Sequence, residues 1–175
     1  MLTFIIAIKL LLNWKTHRNT KLKNLVGKSI LGQGSYAKVY RVYEKYGKDG
    51  QHYALKVMIK DKLLEDDMLE NVFYERDVMK MVHHPFLNNM LATFEYENSI
   101  YILLDELSGG ELKDRIDLQR KLPVESAKFY AACIVEGLDH LHLNSIVHRD
   151  VKPENIMIND DGYAVLIDFG MGKYT

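Results

Sequence analysis

A chain of 175 residues suffices for one domain or for part of a larger one, and 47% hydrophobic with 27% charged residues is the composition of a protein that buries a core. A formal charge of -1 supplies no broad cationic field, so sequence-independent nucleic-acid binding is not indicated. The single cysteine, Cys133, excludes an intramolecular disulfide, and its setting YAACIVEGL reads as a buried packing thiol in a reducing, intracellular (cytoplasmic) compartment.

The first fifteen residues, MLTFIIAIKLLLNWK, are apolar but interrupted by Lys9. They fall short of the roughly 20 apolar residues of a spanning helix. They also lack a basic segment before the apolar run and a small-residue cleavage site. Residues 1–24 therefore read as an extension that packs on the domain, or as a stretch with which the native chain does not begin; a membrane anchor is not expected. No repeat or low-complexity segment is present.

Residues 26–60 read as strands. KVYRVYEKYGKDGQHYALKVMIK is rich in Val and Tyr and is broken at Gly47 and Asp49-Gly50, a hairpin signal. In its second arm Tyr53, Leu55, Val57 and Ile59 share one face, and Ala54, Lys56 and Met58 the other. Lys56 is thus either solvated at a sheet edge or aimed into a cleft. From Asp66 to His83 the period is helical, with Leu69, Val72, Phe73, Met79 and Val82 recurring, and Pro85 closes the segment. NNMLATFEYENSIYILLDEL gives two more strands around Glu97-Asn98. After Gly109-Gly110 the period turns helical again. From Val124 to His142, Ala127, Ala131, Ile134, Leu138 and Leu141 are expected to line one face, with Pro123 opening the helix. The tail reads as loop, short strand, Asp-Asp-Gly turn and short strand.

LGQGSYAKVY contains Gly32-x-Gly34-x-x-Ala37, for which three phosphate-binding architectures compete. Gly27-Lys28-Ser29 suggests a Walker loop, but that loop needs a glycine five residues before Gly27, where Leu22 stands. A dinucleotide fingerprint must open a helix, whereas KVYRVY is β-branched and aromatic. A nucleotide-covering hairpin, strand following strand, fits, with Val39 as an apolar rest for a base; a plain hairpin turn is the alternative.

Phosphoryl transfer to a hydroxyl needs a carboxylate to orient it and take its proton, a cation near the moving phosphate, oxygen ligands for Mg²⁺, and a lysine for the other phosphates. Asp150, Lys152, the pair Asn155 and Asp168, and Lys56 match these roles in turn, and Glu75 is placed to tether Lys56. A set this poor in acids suits Mg²⁺, which takes one or two protein ligands and completes its shell with phosphate oxygens and water.

GQGSYAKV, YALK, Glu75, HRDVKPEN and DFG together resemble the eukaryotic protein kinases, from about Leu25 to Thr175. The resemblance implies an α+β, two-lobed fold with ATP between the lobes. A complete β-rich lobe with one main helix, residues 25–104, would be followed by a hinge, 105–111, and by the first part of a helical lobe, 112–175. Gly32, Gln33, Gly34, Ser35 and Ala37 would cover the phosphates, and Val39, Ala54, Leu104 and Met157 would line the base. Asp105 and Leu107 would offer backbone hydrogen bonds to adenine, and Glu111 would lie near the ribose. Lys56 would bind the α- and β-phosphates, Asp150 would be the catalytic base beside Lys152, and Asn155 and Asp168 would hold the metal. Met79, Met90, His148 and Phe169 resemble the apolar stack of active kinases.

Lys152, two residues after Asp150, implies serine/threonine rather than tyrosine specificity. YERDVMKMVHHPFL, AKFYAACIVEGLDHLH and DGYAVLIDFGMGK look like the cyclic-nucleotide-dependent and related basophilic (AGC) kinases. LSGGELKDRI and His148 look like calcium/calmodulin-dependent kinases; the former reading is preferred. Glu111 and Glu154 would then read substrate arginines. Ala37 replaces the third glycine of the loop. The chain is expected to be interrupted in the activation loop that begins at Gly170, with Arg149 lacking its phosphorylated partner and Thr175 too early to be the phosphosite. Two readings remain: an ATP-dependent Ser/Thr kinase of which this is a fragment, and a non-catalytic nucleotide-binding module. Either would look to a regulatory domain or subunit outside this chain.

Overall fold

The computed structural model describes residues 20–169, and the backbone of 173–174. The anticipated packing of residues 1–19, and the activation-loop start at Gly170, lie outside the described residues. The chain forms two compact units; within the described residues, 20–76 and 90–106 make the first, and 77–89 with the remainder from Leu107 make the second.

The first unit is a five-stranded antiparallel sheet. Its strands are β1 (Leu25–Gln33), β2 (Ala37–Glu44), β3 (Tyr53–Ile59), β4 (Met90–Tyr96) and β5 (Ser99–Asp105), in the order β1-β2-β3-β5-β4. The alternation read in the sequence sets its two faces. Tyr53 and Leu55 are buried with Val42 and Leu103 in one cluster, and Leu25, Tyr40, Val57, Phe94 and Tyr101 close around it. Ala54 and Met58 are buried on the opposite face, beside Lys56. The β2–β3 and β3–β5 ladders are regular, whereas β1 shifts register at Gly27/Ser29 and at Ile30/Gly32, and β4 at Met90/Ala92.

Two helices follow β3 where one was expected. A short helix α1 (Lys60–Glu65) continues directly from the strand and buries Leu63 completely. The chain then turns through Asp67 at φ 55° into α2 (Leu69–Met81). That left-handed residue cannot sit inside a helix, so the segment read as helical from Asp66 to His83 starts later and ends earlier. On α2 the buried stripe is Val72, Glu75, Val78 and Met79; Phe73, expected on it, is exposed and lies 4.9 Å beneath the Arg76 guanidinium.

In the second unit, α3 (Leu112–Gln119) and α4 (Val124–Leu143) accompany short strand pieces. These are β6 (Ile146–Val147), which pairs with β9 (Lys173–Tyr174), and the hairpin of β7 (Ile156–Ile158) with β8 (Ala164–Leu166), closed around Asp160-Asp161-Gly162. The buried seam of α4 is Cys133, Gly137 and Leu141; Ala127 and Ala131, expected on it, lie off that seam, and Ile134 and Leu138 are half-buried. Gly137 explains the rotation. A Cβ there would stand 3.1 Å from the Phe86 carbonyl oxygen and from a Leu87 methyl, so the helix touches the chain after α2 along its glycine. Cys133 is buried as read, and burial raises its thiol pKa.

At this contact the His84 and His140 rings stack at 5.0 Å. Burial, reinforced by His140, lowers the His84 pKa from 6.5 to about 4, against an opposing pull from Asp139. A histidine whose folded pKa lies below its unfolded one favours the neutral form in the native state. Its contribution is complete above pH 6.5 and is lost as the unfolded chain takes up protons below it. The melting temperature is therefore expected to fall between pH 7 and pH 5, and His84→Phe is expected to flatten that dependence; an equal drop in both proteins would refute it.

Candidate active site

The residues singled out in the sequence fall into two sets, one in each unit. In the first unit, β1 and β2 form the expected hairpin, with Gly34 N–H donating to the Ala37 carbonyl at 2.9 Å. A Cβ on Gly32 would meet no heavy atom within 4 Å, and one on Gly34 only the Ala37 carbonyl oxygen at 3.9 Å. Neither glycine is therefore required by contacts inside the chain. What they leave is bare backbone that a phosphate can approach closely. Gly32 and Gln33 pair with Val39 and Lys38, and Val39 pairs with Lys56, so Val39 and Lys56 share a face. Ala54 pairs with Leu104, and Asp105 ends β5 opposite Tyr53.

Lys56 lies 2.7 and 2.8 Å from the two carboxylate oxygens of Glu75, so the sheet-edge alternative does not hold. Glu75 occupies the buried stripe of α2 and is 6% exposed. A carboxylate at such a position demands a partner, and the lysine of β3 is it.

The second unit holds Asp150, Lys152, Asn155, Met157 and Asp168. Lys152 Nζ donates to Asp150 Oδ2 at 2.7 Å, and Asn155 Nδ2 donates to the same oxygen at 2.8 Å and to the Asp150 carbonyl at 2.9 Å. The lysine hydrogen bond chiefly holds the Asp150 pKa below the usual carboxylate value, and Lys152 is raised in return. Because the amide nitrogen of Asn155 faces Asp150, its Oδ1 carries none of these bonds and keeps its acceptor capacity. Ile167 N–H donates to the Asn155 carbonyl at 2.9 Å, which brings Asp168 alongside. Among the described residues no group of three or more His, Cys, Asp or Glu could hold a metal ion. One carboxylate and one amide oxygen is instead a donor set that suits a cation already carrying phosphate oxygens.

His148, 1% exposed, props this loop. Its Nδ1 accepts from Asp150 N–H at 3.3 Å and its Nε2 faces the Ile167 carbonyl at 3.1 Å, so the neutral ring protonated on Nε2 satisfies both. Burial lowers its pKa accordingly. The ring meets Phe169 edge-on, centroids 5.5 Å apart. Of the other two residues of the expected stack, Met79 is buried and Met90 half-buried, in different units. Arg149 and Asp168 both adopt left-handed backbone, φ 64° and 63°. Such conformations cost non-glycine residues on the order of 1 kcal/mol or more and concentrate at functional loops.

The Gly109-Gly110-Glu111 stretch runs along β7: Gly109 N–H donates to the Ile158 carbonyl at 2.8 Å, Ile158 N–H to the Gly110 carbonyl at 2.9 Å, and Glu111 bridges to Met157. Leu107, half-buried, precedes it.

Three residues escaped the sequence reading. Lys62, on α1, donates to the Ser35 carbonyl at 2.5 Å and lies 5.8 Å from the Tyr36 ring, bracing the tip of the glycine-rich turn. Arg41 and Glu106 form an ion pair 65 positions apart. Neither contact has a sequence signature, because each depends on which distant segments the fold brings together.

The first unit thus holds a carboxylate-tethered lysine and a glycine hairpin, and the second a loop of Asp, Lys, Asn and Asp. The chain belongs to the protein kinase family: the family model for the protein kinase domain matches residues 25–175. It is similar to the RAC family serine/threonine-protein kinase homolog of Dictyostelium discoideum, at 37% identity over 83% of this chain and 32% of that protein. It is also similar to human ribosomal protein S6 kinase alpha-2, at 41% over 82% and 20%, and to the Arabidopsis thaliana kinase AtPK2/AtPK19, at 39% over 82% and 30%. The chain thus spans a third or less of the length of these relatives. Their kinship agrees with the AGC-type resemblance read in the sequence.

Proposed function

We propose that the chain carries the nucleotide site and the catalytic loop of an ATP-dependent serine/threonine protein kinase. In this reading residues 25–104 form the nucleotide-covering lobe, 105–111 the hinge and 112–175 the first part of the helical lobe. The observation that carries it is the Lys56–Glu75 pair, with two carboxylate oxygens at 2.7 and 2.8 Å from a lysine that shares its sheet with the glycine-rich turn. Lys56 grips the α- and β-phosphates, and Gly32 to Ala37 cover them. Val39, Ala54 and Leu104 line the base, and the backbone of Asp105 and Leu107 binds its edge.

Asp150 orients the substrate hydroxyl and receives its proton as the hydroxyl oxygen bonds to the γ-phosphorus and the bond from that phosphorus to the bridging oxygen breaks, ADP leaving with the bridging oxygen. Since Lys152 keeps Asp150 ionised and weakly basic, its role is orientation first and proton acceptance late, as a loose transition state allows. Asn155 Oδ1 and the Asp168 carboxylate would hold Mg²⁺, which when bound neutralises charge on the phosphate oxygens. The substrate is a protein serine or threonine, with Glu111 and Glu154, both exposed, selecting arginines near the acceptor. No helix among the described residues is long and apolar enough to cross a membrane, and a cytoplasmic setting fits the free thiol.

ATP with Mg²⁺ is expected to raise the melting temperature of the chain, and Asp150→Asn is expected to keep that shift. Transfer of labelled γ-phosphate to a peptide array separates the possibilities: transfer with arginine preference supports the basophilic kinase, and transfer without it removes only the arginine selection. A shift without transfer marks a binding module, and no shift counts against the nucleotide site itself.

A further inference from the structure

Arg41 lies on β2 opposite Ala54, and Val39, two residues earlier, lies opposite Lys56. Residues two apart on a strand share a face, so the Arg41 side chain rises on the face of the sheet that carries Lys56 and Ala54. From there its Nε donates to Glu106 Oε1 at 2.7 Å, and Nη2 reaches the same oxygen. Glu106 is the residue directly after β5, and its side chain is only 9% exposed, against 33% for Arg41.

An exposed ion pair would contribute almost nothing, but a largely buried carboxylate held by two guanidinium donors is fixed in place. The residue so fixed is flanked by Asp105 and Leu107, whose peptide groups the nucleotide reading assigns to the purine edge. An apolar contact would join β2 to this segment at lower desolvation cost, which leaves orientation as what the ionic solution adds.

We propose that Arg41 and Glu106 are a positioning pair for the purine: by anchoring Glu106 they hold the peptide groups on either side in the geometry that binds the base of a purine nucleoside triphosphate. The inference rests on the nucleotide reading above and deepens it. The pair acts on the base and leaves the phosphate-binding turn untouched.

The 175-residue chain is assayed with two probes, ATP and inorganic tripolyphosphate, each with Mg²⁺. Arg41→Gln and Glu106→Gln are each expected to weaken ATP about tenfold while tripolyphosphate binds as in the parent, and the swapped chain Arg41→Glu with Glu106→Arg is expected to recover ATP binding. Equal loss for both probes, or no loss for either, overturns the proposal. Should Arg41→Gln fail to fold, Arg41→Lys, which keeps the charge but loses the fork, is judged by the same two probes. Backbone hydrogen exchange without nucleotide separates this idea from the one beneath it. The amides of residues 105–107 are expected to exchange about tenfold faster in Glu106→Gln, and unchanged exchange overturns the anchoring. A parent chain that ATP does not stabilise counts against the nucleotide site instead.

Discussion

Replacing Glu75 with alanine is expected to lower stability by about 3 kcal/mol and to abolish the ATP-dependent rise in melting temperature. The substitution takes from the Lys56 ammonium, only 20% exposed, the carboxylate that holds it at 2.7 Å, and breaking a buried pair from one side costs roughly 3–5 kcal/mol. The double change Lys56→Met with Glu75→Leu separates the two effects. Both charges vanish together, so most of the stability is expected to return, yet no cation remains for phosphate and the nucleotide shift stays absent. Urea denaturation and thermal melting with ATP and Mg²⁺ check both halves. A double variant that still responds to ATP would show that Lys56 is not the phosphate contact.

Gly109→Ala is expected to destabilise the second unit by about 2–3 kcal/mol, the cost of forcing an atom into a closed backbone contact. The added Cβ would stand 2.7 Å from the Ile158 carbonyl oxygen and 2.9 Å from the Ile158 Cβ, and the oxygen already accepts the Gly109 N–H. Strand β7 has to move, and it follows Asn155 directly, so the Asn155–Asp150 bonds loosen with it. Its neighbour is the control. Gly110 has φ 79°, and a Cβ added there would have no heavy atom within 4 Å, so alanine meets backbone strain alone, about 1 kcal/mol. Denaturant melts of the two variants should differ in that order; equal losses would mean that backbone conformation, and not the Ile158 contact, sets the requirement.

The parts of the fold and site that were readable in the sequence are those written in local chemistry. The alternation in YALKVMI set both faces of β3, and Asp160-Asp161-Gly162 marked the β7–β8 turn. The loop from His148 to Asn155 carries its own hydrogen bonds, Lys152 and Asn155 donating to Asp150, within a few residues, so the residues read together from HRDVKPEN are also together in space. What escaped depended on distant neighbours. Ala127 and Ala131 satisfy a helical stripe as well as Cys133 and Gly137 do, and only the approach of Phe86 to Gly137 chooses between them. The break at Asp67 lies in a stretch whose helical spacing continues across it. Lys62 and Arg41 look like ordinary solvated charges until Ser35 and Glu106 are brought to them.

The register shifts of the sheet occur only in its outer ladders, at Gly27/Ser29 and Ile30/Gly32 in β1 and at Met90/Ala92 in β4, while the β2–β3 and β3–β5 ladders run without interruption. An open strand presents unpaired peptide groups to any other extended chain, and a bulge spoils that template by bending and twisting it. Both rims of the sheet are roughened in this way and its interior is smooth. The irregularity at Ile30/Gly32, just before the glycine-rich turn, therefore also makes the rim of β1 a poorer template for another extended chain.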